Sequence, residues 1–126
     1  MAKRILVVDD DPDQLTTVES ILSEEYDVDT AQSPEEATSK LGAGKPDLIL
    51  LDVMMGELDS GLTLCQKLKS DPETKDIRII MVTGIRDELG LNFSPDTDGD
   101  FLPADDYIEK PVDPEDLLRR IHKLLR

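Results

Sequence analysis

Cysteine, histidine and basic residues are all scarce in this chain. One thiol among 126 residues, Cys65, excludes an internal disulfide, and its place in an amphipathic stretch makes it a packed core thiol. One imidazole, His122, stands among Leu118, Ile121 and Leu125 with no second histidine or thiol near it in sequence. That setting reads as a helix-surface residue rather than a ligand or a base. Only 14 basic residues oppose 29 acidic ones, a formal net charge of −15. A field of that sign repels nucleic acid and anionic membranes, so direct binding to either is not expected. Long apolar runs are missing as well. Met1-Ala2-Lys3-Arg4 leads into a short run that stops at aspartate, too brief for a signal-peptide core or a membrane span, and a cytoplasmic location is expected.

What remains is enough for one domain. An apolar content of 38% over 126 residues supports a single core that needs no disulfide or structural metal. Continuous apolar runs of about four residues alternate with longer segments of 3.6-residue period, the pattern of parallel strands covered by helices on both faces. Strands are expected at 4–8, 28–31, 48–51, 79–82 and 107–108. Pro12 opens a first helix with Leu15, Val18 and Leu22 on one face. Ser33-Pro34-Glu35-Glu36 reads as a capping box before a helix that Gly42 stops. A third helix is expected over 61–69. Asp113-Pro114-Glu115-Asp116 caps a last helix whose stripe of Leu117, Leu118, Ile121, Leu124 and Leu125 is wide enough to serve the sheet and a partner.

One stretch, 85–104, breaks this rhythm. It contains Gly90, Pro95, Gly99 and Pro103, lacks a helical period, and predicts loop or short helical turns where a fourth helix would stand. The run 84–109 holds eight acids against Arg86 alone, and it reads as solvated. Within it, Asp96-Thr97-Asp98-Gly99-Asp100 fails as a calcium loop, because its glycine is misplaced for an EF-hand and the twelfth position is Tyr107.

The chemistry gathers where apolar runs end. Ile5-Leu6-Val7-Val8 runs into Asp9, Asp10 and Asp11, and Leu48-Ile49-Leu50-Leu51 runs into Asp52. If the two runs are neighbouring strands, their carboxylates meet, and two such charges about 4 Å apart repel by roughly 4 kcal/mol at an effective dielectric near 20. A cation or a shared proton is then required. Sites in open parallel sheets form beyond the carboxyl ends of the strands, so Asp9, Asp10, Asp52, Thr83 and Lys110 are the residues to collect. Acids, a hydroxyl and an ammonium suit magnesium-assisted phosphoryl transfer. Asp52, alone at its strand end, suits a nucleophile; Asp9 and Asp10 suit the metal, while Thr83 and Lys110 suit stabilisation of a phosphoryl group. Asp11, just before Pro12, suits a helix cap, and a cis peptide at Lys110-Pro111 would aim the lysine back into the site.

Four segments, ILVVDDDPD (5–13), PDLILLDVMM (46–55), IIMVTG (79–84) and DDYIEKPVDPEDLL (105–118), together resemble the receiver domain of two-component response regulators. The resemblance implies an α/β, flavodoxin-like, doubly wound five-stranded parallel sheet of order 2-1-3-4-5, formed by a single receiver domain over 1–126 with no output domain. It implies that Asp52 accepts a phosphoryl group from a sensor histidine kinase or phosphotransfer protein, with Mg²⁺ as the cofactor. Asp9, Asp10 and Asp52 with the backbone carbonyl of Met54 would hold the metal, Lys110 would be the cation partner, and Thr83 and Tyr107 would switch together. No organic cofactor is implied, and the chain is not expected to be an enzyme beyond chemistry at Asp52. The output would be contact with a downstream protein, from a monomer or a weak phosphorylation-dependent dimer.

Three departures qualify the resemblance. The loop Gly56-Glu57-Leu58-Asp59-Ser60-Gly61 lacks the family's proline and is one residue longer, the stretch from Thr83 to Lys110 is a few residues longer than the family's usual one, and a convincing fourth helix is missing from it. Met54 and Ile85, two residues beyond Asp52 and Thr83, are apolar and cannot position a water, so slow autodephosphorylation is expected. Two rival readings are a magnesium-dependent phosphatase with an aspartyl-phosphate intermediate and a phosphorylation-independent scaffold. The first wants an acid two residues after the nucleophile, where Met54 stands; the second leaves the retained site positions without a use.

Overall fold

The computed structural model describes residues 3–52, 60–83, 104–109 and 112–125. In chain order these form β1 (Arg4–Val8), α1 (Pro12–Leu22), β2 (Asp27–Ala31), α2 (Pro34–Ala43), β3 (Leu48–Asp52), α3 (Ser60–Ser70), β4 (Arg78–Thr83), β5 (Asp106–Glu109) and α4 (Pro114–Leu125). The strands make one parallel sheet of order β2-β1-β3-β4-β5, as the resemblance implies. This is the flavodoxin-like doubly wound order. The irregular stretch 85–104, the candidate calcium loop within it and the Lys110-Pro111 peptide lie outside the described residues, apart from Ala104.

Period-two alternation divides the core between the two faces. Leu6, Val8, Ile49, Leu51, Ile79 and Met81 pack under α2 and α3 with Ala37, Leu64, Cys65 and Leu68. Ile5, Val7, Leu48, Leu50, Ile80 and Val82 pack under α1 and α4 with Leu15, Val18, Leu22, Leu117 and Ile121. All four central residues of β3 from Leu48 to Leu51 are buried, which is why this strand reads as an unbroken apolar run. Each aliphatic side chain so buried contributes about 1.5 to 3 kcal/mol. Cys65 is fully buried, and burial pushes its thiol up to about 11, with Lys69 pulling the other way.

The helix starts follow from their caps. Asp11 accepts the Asp13 N–H at 3.0 Å with Pro12 behind it, as expected of a capping aspartate. Ser33 accepts the Glu36 N–H at 3.1 Å, while the Glu36 carboxylate reaches back to the Gln32 N–H at 2.5 Å, one residue earlier than a strict capping box requires. The expected stop of α2 at Gly42 is corrected: the helix passes through Gly42 to Ala43, and Gly44 closes it by donating to Lys40 O at 3.2 Å. The φ of Gly42 is not in the left-handed region and nothing lies within 4 Å of where a Cβ would sit, so the residue continues the helix instead of capping it.

The acidic run 84–109 also needs correction at its end. Asp105 is not solvated: its Oδ2 accepts Lys69 Nζ at 2.8 Å and the Ile79 N–H at 2.8 Å, and Lys69 donates further to Ile77 O at 2.9 Å. Asp106 accepts Arg120 Nη1 at 2.8 Å, and Arg120 also binds Asp116 through Nε at 3.0 Å. The entry to β5 is thus tied to α3 on one face and to α4 on the other. His122 is exposed as expected; its Nε2 lies 2.6 Å from Glu25 Oε2, joining α4 to the turn before β2.

Candidate functional site

Adjacent parallel strands in matched register bring the acids together. Val8 of β1 is level with Leu51 of β3, so the next residues, Asp9 and Asp52, leave the sheet side by side. The Asp9 N–H donates to Ala31 O at 3.0 Å, which extends the β1–β2 pairing by one residue. Asp9 Oδ1 in turn accepts the Asp11 N–H at 3.0 Å, and this turn leads into Pro12 and α1. The early start of α1 is therefore part of the site, because it holds the Asp9 carboxylate.

One carboxylate oxygen from each of Asp9, Asp10 and Asp52 lies within 4.8 Å of the other two. Asp9 and Asp52 are each 4% exposed, whereas Asp10 faces solvent. At 4.8 Å or less, two such charges repel by at least about 3.5 kcal/mol at an effective dielectric near 20. The donor set is all hard oxygen, the choice of Mg²⁺ rather than of zinc or copper. In a Mg²⁺ octahedron with bonds of about 2.1 Å, ligand oxygens stand about 3 Å apart when adjacent and about 4.2 Å when opposite. The 4.8 Å limit is only a little wider than that range, and Asp10's exposure leaves room for waters. The residues present fit a hydrated divalent cation.

The other sequence-predicted residues are placed unevenly. Thr83 ends β4, one step past Val82, which pairs with Asp52, and it is level with Glu109 of β5. Its backbone therefore stands at the same sheet edge as the acids. Lys110 follows Glu109 directly but lies outside the described residues, as does Met54. Tyr107, level with Met81, is half-buried and packs against the Cys65-containing cluster on the α3 face. Burial pushes its phenol up to about 12, with nearby Cys65 adding to the effect and a backbone hydrogen bond at Ala104 opposing it. The phenol is a neutral hydrogen-bonding group at physiological pH. Sequence reasoning missed the part of Lys69 and Asp105, which fix the strand carrying Tyr107 and leading to Lys110; a lysine in a helix's last turn gives no such signal.

The sequence matches the family described as response regulator receiver domain over residues 5–122. It is 39% identical over its whole length to the response regulator PleD of Caulobacter vibrioides and spans 27% of that protein. It is 39% identical to the alkaline phosphatase synthesis transcriptional regulatory protein PhoP of Bacillus subtilis, of which it spans 50%. The chain thus covers between about a quarter and a half of such curated relatives. Among solved structures, the signal receiver domain of a signal transduction histidine kinase from Syntrophus aciditrophicus superposes with a TM-score of 0.83 at 33% identity, covering 98% of this chain and 90% of that one. A CheY-like receiver domain protein from Methanospirillum hungatei gives 0.82 at 32% identity, with 99% and 94% covered. The chain belongs to the response regulator receiver domain family.

Proposed function

We propose that this receiver domain is the phosphoacceptor of a two-component phosphorelay, with Asp52 taking a phosphoryl group from the histidine of a sensor kinase or phosphotransfer protein. The observation that supports this most is the convergence of Asp9, Asp10 and Asp52 within 4.8 Å at the carboxyl edge of the sheet. An Asp52 carboxylate oxygen attacks phosphorus, a P–O bond forms as the P–N bond breaks, and the departing imidazole regains its proton from solvent. Asp9 and Asp10, with Asp52 and the Met54 carbonyl, would hold Mg²⁺, which supplies neutralising charge to the phosphoryl oxygens.

Lys110 is assigned as the cation that pairs with the acyl phosphate, and Thr83 as the hydroxyl that donates to it. Phosphorylation adds about −1.5 to −2 charges and new acceptor oxygens at this edge. Movement of Thr83 toward them frees space that Tyr107 takes up, and a partner reads the shifted population of two arrangements. The neutral Tyr107 phenol suits such a move, because no charge has to be desolvated. The reading places the protein in the cytoplasm, with a downstream protein as its target and no turnover of a separate substrate. Among the described residues no helix is long and apolar enough to cross a membrane.

Incubation with acetyl phosphate and Mg²⁺, followed by intact-mass spectrometry and phosphate assay, tests this. One slowly lost phosphoryl group per chain, absent in Asp52→Asn, is expected. Continuous phosphate release would instead favour the phosphatase reading, and no modification at all would favour a phosphorylation-independent scaffold.

A further inference from the structure

Far from the carboxylates, α4 borders a groove of about 930 Å³ whose exposed walls are mostly apolar. The wide stripe of α4 explains it: Leu117 and Ile121 are fully buried under the sheet, while Leu118 and Leu125 are only partly covered and line the groove with Tyr26. Lys3, Arg119 and Lys123 border the same space, with Glu115 the only acidic lining residue among the described residues. This composition is unlike the rest of the molecule. Residues 117–126 hold four basic residues and no acid, in a chain that carries 29 acids and a net charge of −15.

The basic rim is not explained by folding. Arg119 pairs with Asp116, but Lys3 and Lys123 make no ion pair among the described residues. We propose that this groove docks an acidic amphipathic helix of a partner protein, its apolar side on Tyr26, Leu118 and Leu125 and its carboxylates on Lys3, Arg119 and Lys123. Charge complementarity selects this occupant. A second copy seated symmetrically would set the same cations against one another, and an apolar floor flanked by local cations suits a helix with one apolar side better than the uniformly charged backbone of a nucleic acid. From Glu115 to Leu125 the groove follows α4 for about 15 Å, close to three turns of a partner helix. Lys3 and Tyr26 precede β1 and β2, so the groove reaches the amino end of the sheet, about 17 Å along the strands from the Asp9–Asp52 edge. Docking there leaves Asp52 accessible, and the inference stands apart from the phosphoacceptor reading.

The test uses the whole ¹⁵N-labelled chain and a synthetic helix of about 12 residues, with Leu at i, i+3, i+4 and i+7 and Glu elsewhere. Its twin carries Lys in place of Glu. The acidic peptide is expected to shift the amides of Tyr26, Leu118 and Leu125, and the pair Lys3→Glu with Lys123→Glu to weaken it about tenfold. Both lysines are exposed, so the variant should unfold at the wild-type temperature. Equal shifts of the same amides by the lysine twin, shifts confined to other residues, or none would overturn the proposal. So would a dimer of the free chain by sedimentation that Leu118→Lys abolishes, since the groove would then belong to a second copy.

Discussion

Where β5 begins, Asp105 and Asp106 each meet a cation of their own, Lys69 and Arg120, both at 2.8 Å, whereas at the carboxyl ends of β1 and β3 three carboxylates share one point within 4.8 Å. Both groups sit at strand ends and both consist of aspartates. At the entry to β5 the acids are distributed, and each carboxylate accepts from a lysine or arginine that the fold itself supplies. At the other edge they are concentrated, which suits a ligand of high positive charge density. On the proposed function the difference separates structural aspartates from chemical ones: the first should matter for stability and little for phosphorylation, the second the reverse.

The largest effect should follow from Asp52→Asn. It removes the carboxylate proposed as the nucleophile, and phosphorylation by acetyl phosphate should fall by at least about a thousandfold while the fold persists, checked by mass spectrometry and circular dichroism. Asp105→Ala should do the opposite. It strands the Lys69 ammonium, 16% exposed, and the Ile79 N–H, so urea unfolding should show a loss of about 2 kcal/mol with phosphorylation at Asp52 retained. An Asp105→Ala protein as stable as wild type would erase the distinction.

The smallest effect concerns Asp116. The hydrogen bond from Arg120 holds its carboxyl below the usual 3.8, and burial opposes that only in part. A depressed folded-state value means stability present above the unfolded pKa and lost as pH falls through the folded one. Asp116→Asn should therefore cost less than about 1 kcal/mol at pH 7, since the pair is partly exposed and screened. The cost should vanish well below pH 3.8. Urea midpoints of both proteins across that range check it; a cost unchanged at acid pH would assign the effect to something other than the ion pair.

Much of this was legible in the sequence because the relevant signals are local. Buried parallel strands must be apolar along their length, so Val8-Asp9 and Leu51-Asp52 announce the edge where the sheet stops and chemistry starts. Pro12 and Ser33 likewise announce helix starts through their own backbone chemistry. The ion pairs at the entry to β5 were not legible, because Lys69 and Asp105 are 36 residues apart and each reads locally as a surface charge. The end of α2 was misread for a related reason: a glycine's flexibility permits a stop but does not impose one, and Gly42 has open space around it.

The central claim, that the shared point is built for an added cation and the entry to β5 is not, is tested most directly by urea unfolding with and without Mg²⁺, followed by circular dichroism because the chain has no tryptophan. At about 100 times its dissociation constant, Mg²⁺ should stabilise wild type by about 2.7 kcal/mol. The same gain is expected in Asp105→Ala and nearly none in Asp9→Asn. A gain undiminished in Asp9→Asn would contradict it.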